Sequence, residues 1–486
     1  MNQNNISATE LFQRVRELLT LPDLEPKTRN KMMHDTLILC CHEGVKDTKQ
    51  AFGNLFSQVD YLCKARGIKV ADKIAIQTMR RHSNSQEPLS GEDLKYDARA
   101  LTLFISAVFE ERIPHEVNVL IPHINRPFQK GLEINNRRIR CIVKNWDSDF
   151  IRVDIDQDAD EEEYLVRLKD EENHIDHTYL WDLLKEGMQL NLLDCQVKQP
   201  IITPRLIVVE PDYLVDISSI ATCFTAFGHH PLLYLLNLMK PRANTQATLL
   251  GNFAGAALDD IINSHGKYQV NETVKSNFRE KALEFCTCPW FDAKKFYTDA
   301  SLQAFNLQQV VDILFPRTAS QAKMSAFRGE SLYDRKKAIL EPSFVCEALG
   351  IQGRVDLMTT DCKLLVEQKS GRNMNIETHQ VDPAYHSYQL EPHYVQLLLY
   401  YGVLQHNFKL SNDRVNIRLL YSKYQPQDGL MVVAYYQKLF KEAIEYRNQL
   451  VAASFEIAKE GFEHTLNEFT PEVLNVAGTQ DFFYNK

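Results

Sequence analysis

The sequence predicts an α+β protein: a helical N-terminal region, a β-rich middle, and a C-terminal half in which helices flank one central hairpin. Three observations carry that expectation. Leu11, Val15, Leu18 and Leu19, and again Leu55, Val59 and Leu62, recur at helical spacing before residue 112. From about 115 to 215 the pattern changes to short β-rich runs at 139–143, 150–155 and 163–168, separated by the turn-like Asn145-Trp146-Asp147-Ser148-Asp149 and by the acidic segment 156–163. Between 351 and 370, two apolar runs each end on charged residues that a buried sheet does not need for stability.

Taken in order, residues 1–112 read as helical and carry no recognisable chemistry. Residues 115–215 suit a small OB-like β-barrel, a fold that often binds single strands through aromatic and basic side chains. Arg126, Lys130, Arg137, Arg138 and Arg140 precede or line its first hairpin. A solvated basic face on a packing module explains those charges equally well. Residues 217–465 are expected to be helical apart from the hairpin, with helices resuming from about 390, and 466–486 form a C-terminal tail. Within this part, Leu250, Phe253, Ala257, Leu258 and Ile261 mark an amphipathic stretch over 248–262 that also carries Asp259 and Asp260.

A chain of 486 residues exceeds what one core usually supports, so two or three domains are expected. The formal charge of −9 argues against a broad electropositive surface, so any contact with a polyanion must come from a local groove. No apolar run approaches the roughly 20 residues that span a bilayer, and the polar start lacks a signal-peptide apolar segment. A cytoplasmic location is expected. The ten cysteines include no CxxC pair, and buried reduced thiols are the default reading. His229-His230 and Cys286-x-Cys288 lack two further ligands at suitable spacing and are read as structural. No phosphate-binding GxxxxGK[ST] loop is present.

The hairpin concentrates the chemistry. Side chains alternate along a strand, so Glu367 and Lys369 share a face, and a turn through 359–362 brings Asp356 beside them. Two carboxylates that can hold a divalent cation, with a lysine able to orient a nucleophilic water, form a minimal kit for phosphodiester hydrolysis. A surface salt-bridge cluster would explain the charges, but not the glycine-flanked Gly350-Ile351-Gln352-Gly353-Arg354-Val355-Asp356 or the apolar Leu364-Leu365-Val366.

Asp356 with Glu367-x-Lys369 resembles the signature of the PD-(D/E)XK nuclease superfamily, and the glycine-flanked strand resembles its RecB-like branch. His393, Gln396 and Tyr400 resemble the QxxxY helix that follows the hairpin there, and they share one helical face. The run 206–215 and the pair Arg447-Asn448 extend the likeness, over roughly 120–450, to the nuclease half of the Okazaki-fragment flap nuclease-helicase and to CRISPR spacer-acquisition exonucleases.

The resemblance implies a restriction-endonuclease-like core, a central mixed sheet flanked by helices. It implies Asp356, Glu367 and Lys369 as catalytic residues, with Mg²⁺ or Mn²⁺ held by Asp356, Glu367, the Gln368 carbonyl and Asp259. Asp259 stands where the family's G-x-x-x-H-E helix has histidine, and a register starting from Gly251 would instead put Gly255 there. His393, Gln396, Tyr400, Arg354 and Arg372 become DNA-binding or supporting residues, and Arg335, Lys336 and Lys337 further phosphate contacts. Glu341 resembles an acid upstream of the family aspartate. No cysteine follows Cys362, so the family's iron–sulfur cluster is not expected. The implied substrate is DNA with a single-stranded end or flap, in replication, repair or defence, with a separate helicase as a possible partner. The alternative is a non-catalytic DNA-binding or scaffold subunit that keeps the fold.

Overall fold

The computed structural model describes residues 6–464 other than 22–23, 86–88, 90, 127–131, 156–162, 227, 240–243, 267, 383–385, 411–413 and 462, together with residue 470. Lys130, most of the acidic segment and nearly all of the 466–486 tail lie outside the described residues. The protein is α+β, with mixed sheets, a closed barrel and flanking helices.

The N-terminal region packs α1 (Ala8–Thr20), α2 (Pro26–Val45), α3 (Leu55–Ala65), α4 (Val70–Ser83) and α5 (Gly91–Phe109). The spaced apolar residues make the core: Leu11, Val15, Leu18, Val59 and Leu62 are all buried there, with Phe12 and Phe104. Ser7 closes the first turn of α1 through a capping box with Glu10. Between α2 and α3 a short strand, β1 (Ala51–Phe52), leaves the bundle and joins the main sheet.

The barrel follows. It is formed by β2 (Asn136–Trp146), β3 (Phe150–Ile155), β4 (Tyr164–Arg167), β5 (Gln189–Lys198) and β6 (Ile201–Val209), in the closed order β2-β3-β4-β6-β5. Only the β4–β6 pairing is parallel. Alternate residues such as Cys141 and Val143, Ile151 and Val153, and Leu190 and Leu192 fill the interior. The chain then passes straight from β6 into β7 (Val215–Asp216) and a short helix, α6 (Ile217–Ala221).

The rest is a sheet between helical layers. In chain order come α7 (Gln246–Asn263), α8 (Ala293–Leu314), β8 (Ala338–Leu340), β9 (Ser343–Cys346), β10 (Ile351–Arg354), β11 (Leu357–Thr359), β12 (Leu364–Lys369), α9 (Glu391–Phe408), β13 (Asn416–Tyr421), β14 (Leu430–Val432) and α10 (Gln437–Glu460). The six-stranded sheet has the order β1-β14-β13-β12-β11-β8, and a three-stranded sheet has the order β9-β10-β7. Successive residues of β12 serve opposite layers: Leu364 and Val366 pack with α7 and α8, whereas Leu365 packs with α9 and α10. Among the described residues no helix is long and apolar enough to cross a membrane.

Two expectations change. Strands β13 and β14 fall where helices were expected to resume, and β13 is the parallel neighbour of β12. Its run Asn-Ile-Arg-Leu-Leu-Tyr is short, buried on both faces and interrupted by Arg418, so it shows neither strand alternation nor helical spacing. Strands β8 and β9 likewise precede the hairpin within a stretch expected to be helical.

The barrel is pinned to the core by Arg447 and Asn448 of α10, both fully buried. The Arg447 guanidinium donates to the carbonyls of Gly350 (3.1 Å), Glu210 (2.9 Å), Tyr213 (2.6 Å) and Val209. Asn448 accepts from the Val209 N–H at 3.0 Å and donates to the Ile207 carbonyl at 2.7 Å. Burial pulls Arg447 down to about 9, against the opposing influence of Tyr179, Glu210 and Tyr213. Gly350 sits at φ +60, and a Cβ there would lie 2.3 Å from the guanidinium, so the close approach needs glycine.

Candidate active site

Pairing between 338–346 and 351–359 follows one antiparallel register on both sides of a break. The break falls at Glu341-Pro342 opposite Val355-Asp356, where the ladder bends out of the six-stranded sheet and into the three-stranded one. Pro342 cannot donate to a ladder, and Glu341 holds φ +47, a left-handed conformation uncommon for glutamate. Asp356 is therefore released from regular pairing at the bend, while its carbonyl still accepts the Glu341 N–H at 3.0 Å. Strained backbone of this kind concentrates at functional sites.

The β11–β12 hairpin then delivers the partners. It closes through Cys362 at φ +54, whose N–H reaches the Thr359 carbonyl at 2.8 Å. Asp356 Oδ2 accepts the Gln368 backbone N–H at 2.5 Å. Lys369 Nζ donates to Glu367 Oε1 at 2.7 Å and to Gln396 Oε1 at 2.8 Å. Glu367 is 2% exposed, and its second oxygen is buried with no hydrogen-bond partner among the described residues. Asp356, Glu367, Lys369 and Gln396 thus come together at one corner of the sheet.

The α9 residues divide the remaining work. Tyr400 is buried and donates to the Arg354 carbonyl at 2.7 Å, fixing the strand that leads to Asp356. Gly353 permits this approach, since a Cβ there would stand 3.0 Å from the Tyr400 ring. His393 lies against Tyr421 at 3.1 Å from its hydroxyl, and burial together with the Lys369 charge pulls the imidazole down to about 3. It is neutral at physiological pH. His393 and Tyr400 therefore brace the protein and leave Gln396 as the α9 residue in contact with the lysine.

Electrostatics set this corner apart. Burial, and then the Asp356 charge, push Glu367 up to about 8, with Lys369 only partly offsetting them. Asp356 is raised chiefly by burial, against the pull of the Gln368 N–H and Lys369. On α7, Asp259 is raised to about 7 by burial and by the charges of Glu341, Asp260 and Asp356. Glu341 pairs with Arg354 at 3.0 Å. Asp259 consequently belongs to the same acidic neighbourhood, whereas Gly255, the alternative register, has no side chain to contribute.

Other expected contacts are committed elsewhere. Arg372 donates to Glu377 at 2.5 Å. Arg335 donates to the Ile262 carbonyl at 2.6 Å, capping the C-terminal end of α7. Lys337 pairs with Asp361 at 3.1 Å. Arg126 pairs with Asp93 at 2.5 Å in the N-terminal bundle, and Arg140 bonds Asp212 at 2.9 Å. His229 lies between Glu391 (2.8 Å) and Glu442 (2.7 Å), which hold its imidazolium at about 9 against the opposing effect of burial.

A polar network behind the hairpin escaped the sequence reading. Gln368 Nε2 donates to Ser422 Oγ at 2.7 Å, Ser422 Oγ to Gln303 Oε1 at 2.6 Å, and Gln303 Nε2 to the Ser370 carbonyl at 3.1 Å. Asn306 Nδ2 reaches the Ser422 carbonyl at 3.0 Å. These residues lock the end of β12 to α8, so Lys369 projects from a fixed backbone. The available signal was two amides, Gln303 and Asn306, three apart on an otherwise buried apolar helix face.

Four carboxylates are hard oxygen donors of the kind Mg²⁺ and Mn²⁺ prefer, and the orphaned Glu367 oxygen with the raised carboxyl groups marks a site short of positive charge. The donor set fits such a cation. As the side chains stand, among the described residues no three His, Cys, Asp or Glu side chains close around a common point in ligating geometry. Glu367 Oε1 is turned toward Lys369 and Asp356 Oδ2 toward the backbone. Compared with family models and with curated proteins, the chain matches none.

Proposed function

We propose that the protein is a metal-dependent deoxyribonuclease of the PD-(D/E)XK type, acting on single-stranded ends or flaps, with the five-stranded barrel serving as an OB-like module. The observation that carries this reading is the convergence of Asp356, Glu367 and Lys369 on Gln396 at the bend of the ladder, with Glu367 buried and one of its oxygens unpartnered. Asp356, Glu367, the Gln368 carbonyl and Asp259 would hold Mg²⁺ or Mn²⁺. Such a cation supplies Lewis-acid polarisation of a phosphoryl oxygen and lowers the pKa of water.

The chain's own residues do the rest. Lys369, held by Gln396, offers an ammonium that orients the attacking water and offsets negative charge building on the phosphoryl group. Burial of Glu367 and Asp356 strengthens these interactions by keeping the local dielectric low. Arg354, exposed and paired with Glu341, is placed to exchange that carboxylate for a backbone phosphate.

The test is Mg²⁺- or Mn²⁺-dependent cleavage of labelled flap DNA by wild type and by Lys369→Ala. Wild type should cut, and the variant should lose at least about a hundredfold in rate. The second reading is a binding-only subunit that keeps the fold. It predicts a gel shift with uncut DNA for both proteins.

A further inference from the structure

At the far end of α9 from the hairpin, a cleft of about 990 Å³ opens between the barrel and the core. Its walls bring together cations from four elements or their ends: Arg137 and Arg138 from β2, Arg205 from β6, Lys409 just past α9, and Lys441 from α10. Against these five stand, among the described residues, two lining acids, Asp194 and Glu347. The cleft is thus locally positive in a chain whose formal charge is −9. Arg137 is paired with Asp194 at 2.8 Å. Lys441 is lowered by burial and then by the nearby Arg205 guanidinium, although Glu445 acts in the opposite sense. Gln437, the first residue of α10, also lines the cleft, and no side chain caps that helix N-terminus. The positive end of the α10 dipole adds to that positive field.

Position decides what such a cleft is for. Helix α9 carries Gln396 at the hairpin site and His406 in the cleft wall, ten residues and about 15 Å apart along the axis. That is the length of about four stacked nucleotides. The volume takes a few nucleotides of one strand and not a duplex. We propose that the cleft binds the sugar–phosphate backbone of an unpaired DNA strand whose continuation reaches the hairpin site, an inference that rests on the nuclease reading above. Lys409 and Arg138 are exposed cations on opposite walls and make the phosphate contacts, while the uncapped N-terminus of α10 supplies N–H donors.

The test uses the full chain in EDTA and a labelled oligothymidylate about twenty nucleotides long, a little beyond the footprint of one such barrel. Fluorescence anisotropy is followed over a salt series for wild type, Arg138→Glu/Lys409→Glu and Lys369→Ala. The charge-reversed protein should bind at least about tenfold more weakly, and its salt slope should fall by about 1.4, or about 0.7 for each lost phosphate contact. Lys369→Ala, which removes one charge at the hairpin site, should lose less affinity than the charge-reversed protein. Circular dichroism confirms that both variants are folded, as substitutions at exposed positions are expected to be. Unchanged binding and flap cleavage in the charge-reversed protein would overturn the cleft and leave the nuclease reading standing. Loss of affinity for a polyglutamate peptide instead of for DNA would also overturn it, marking an acidic protein partner. A wild type that neither binds nor cuts DNA removes both.

Discussion

Two buried charged clusters, one at the barrel joint and one at the hairpin, are built to opposite rules. At the barrel joint, Arg447 is fully buried and spends its guanidinium on four backbone carbonyls, with Asn448 completing the set. At the hairpin, Glu367 is 2% exposed yet keeps one oxygen without a partner and repels a neighbouring aspartate. A buried group whose hydrogen bonds are complete contributes stability, whereas one left short of them costs stability and is retained for another reason. The first cluster reads as architecture and the second as chemistry.

Substitutions should separate the two. The largest effect on stability is expected from Arg447→Met, which leaves four carbonyls in a dry joint without their donor. A loss on the order of 3–5 kcal/mol in a urea titration is predicted, and a change below about 1 kcal/mol would show that the joint does not depend on it. Glu367→Gln should do the reverse. Cleavage should fall by at least about a hundredfold while the midpoint stays the same or rises, because a neutral amide removes the repulsion with Asp356. A large fall in its midpoint would place Glu367 with the architectural cluster.

Acidity sharpens the contrast. Glu367 at about 8 and Asp259 at about 7 stand above their ordinary 4.5 and 3.8, so the cation-free folded chain binds more protons than the unfolded one across that interval. Their contribution to stability is fully present below the unfolded values and is lost as pH rises through about 7 to 8. Thermal melts in EDTA should show wild type losing ground to Glu367→Gln between pH 5 and pH 8, and Mn²⁺ should recover more of it at the upper end. Parallel melting curves across that range would contradict the assigned acidities. The smallest effect belongs to Gly353→Ala. Its Cβ would crowd Tyr400 at 3.0 Å and Ile217 at 3.3 Å, at a cost of about 1 kcal/mol with a partial loss of cleavage.

Much of this arrangement was legible in the sequence because it depends on short-range order. Strand alternation alone sets Glu367 and Lys369 on one side, and helical periodicity alone aligns His393, Gln396 and Tyr400. What was not legible depends on distant segments. Residues 51–52 read as part of a helical region, yet they complete the sheet by pairing with 431–432. Resemblance picked out the pair Arg447-Asn448, but its role as a joint emerges only when the barrel strand is laid against it. The bend that frees Asp356 required both strands of a ladder to be known, although Pro342 hinted at it. Gln303, Asn306 and Ser422 act together only because α8 crosses the ends of β12 and β13.

The most direct measurement is calorimetric titration of Mn²⁺ into the metal-free full chain and into Glu367→Gln, in two buffers of different ionisation enthalpy at pH 7. Wild type should bind and release protons to the buffer, because a cation at Glu367 and Asp259 must displace the protons their raised acidities retain. The variant should bind far more weakly and release fewer. Equal binding by the two proteins, or none by wild type, would contradict the account.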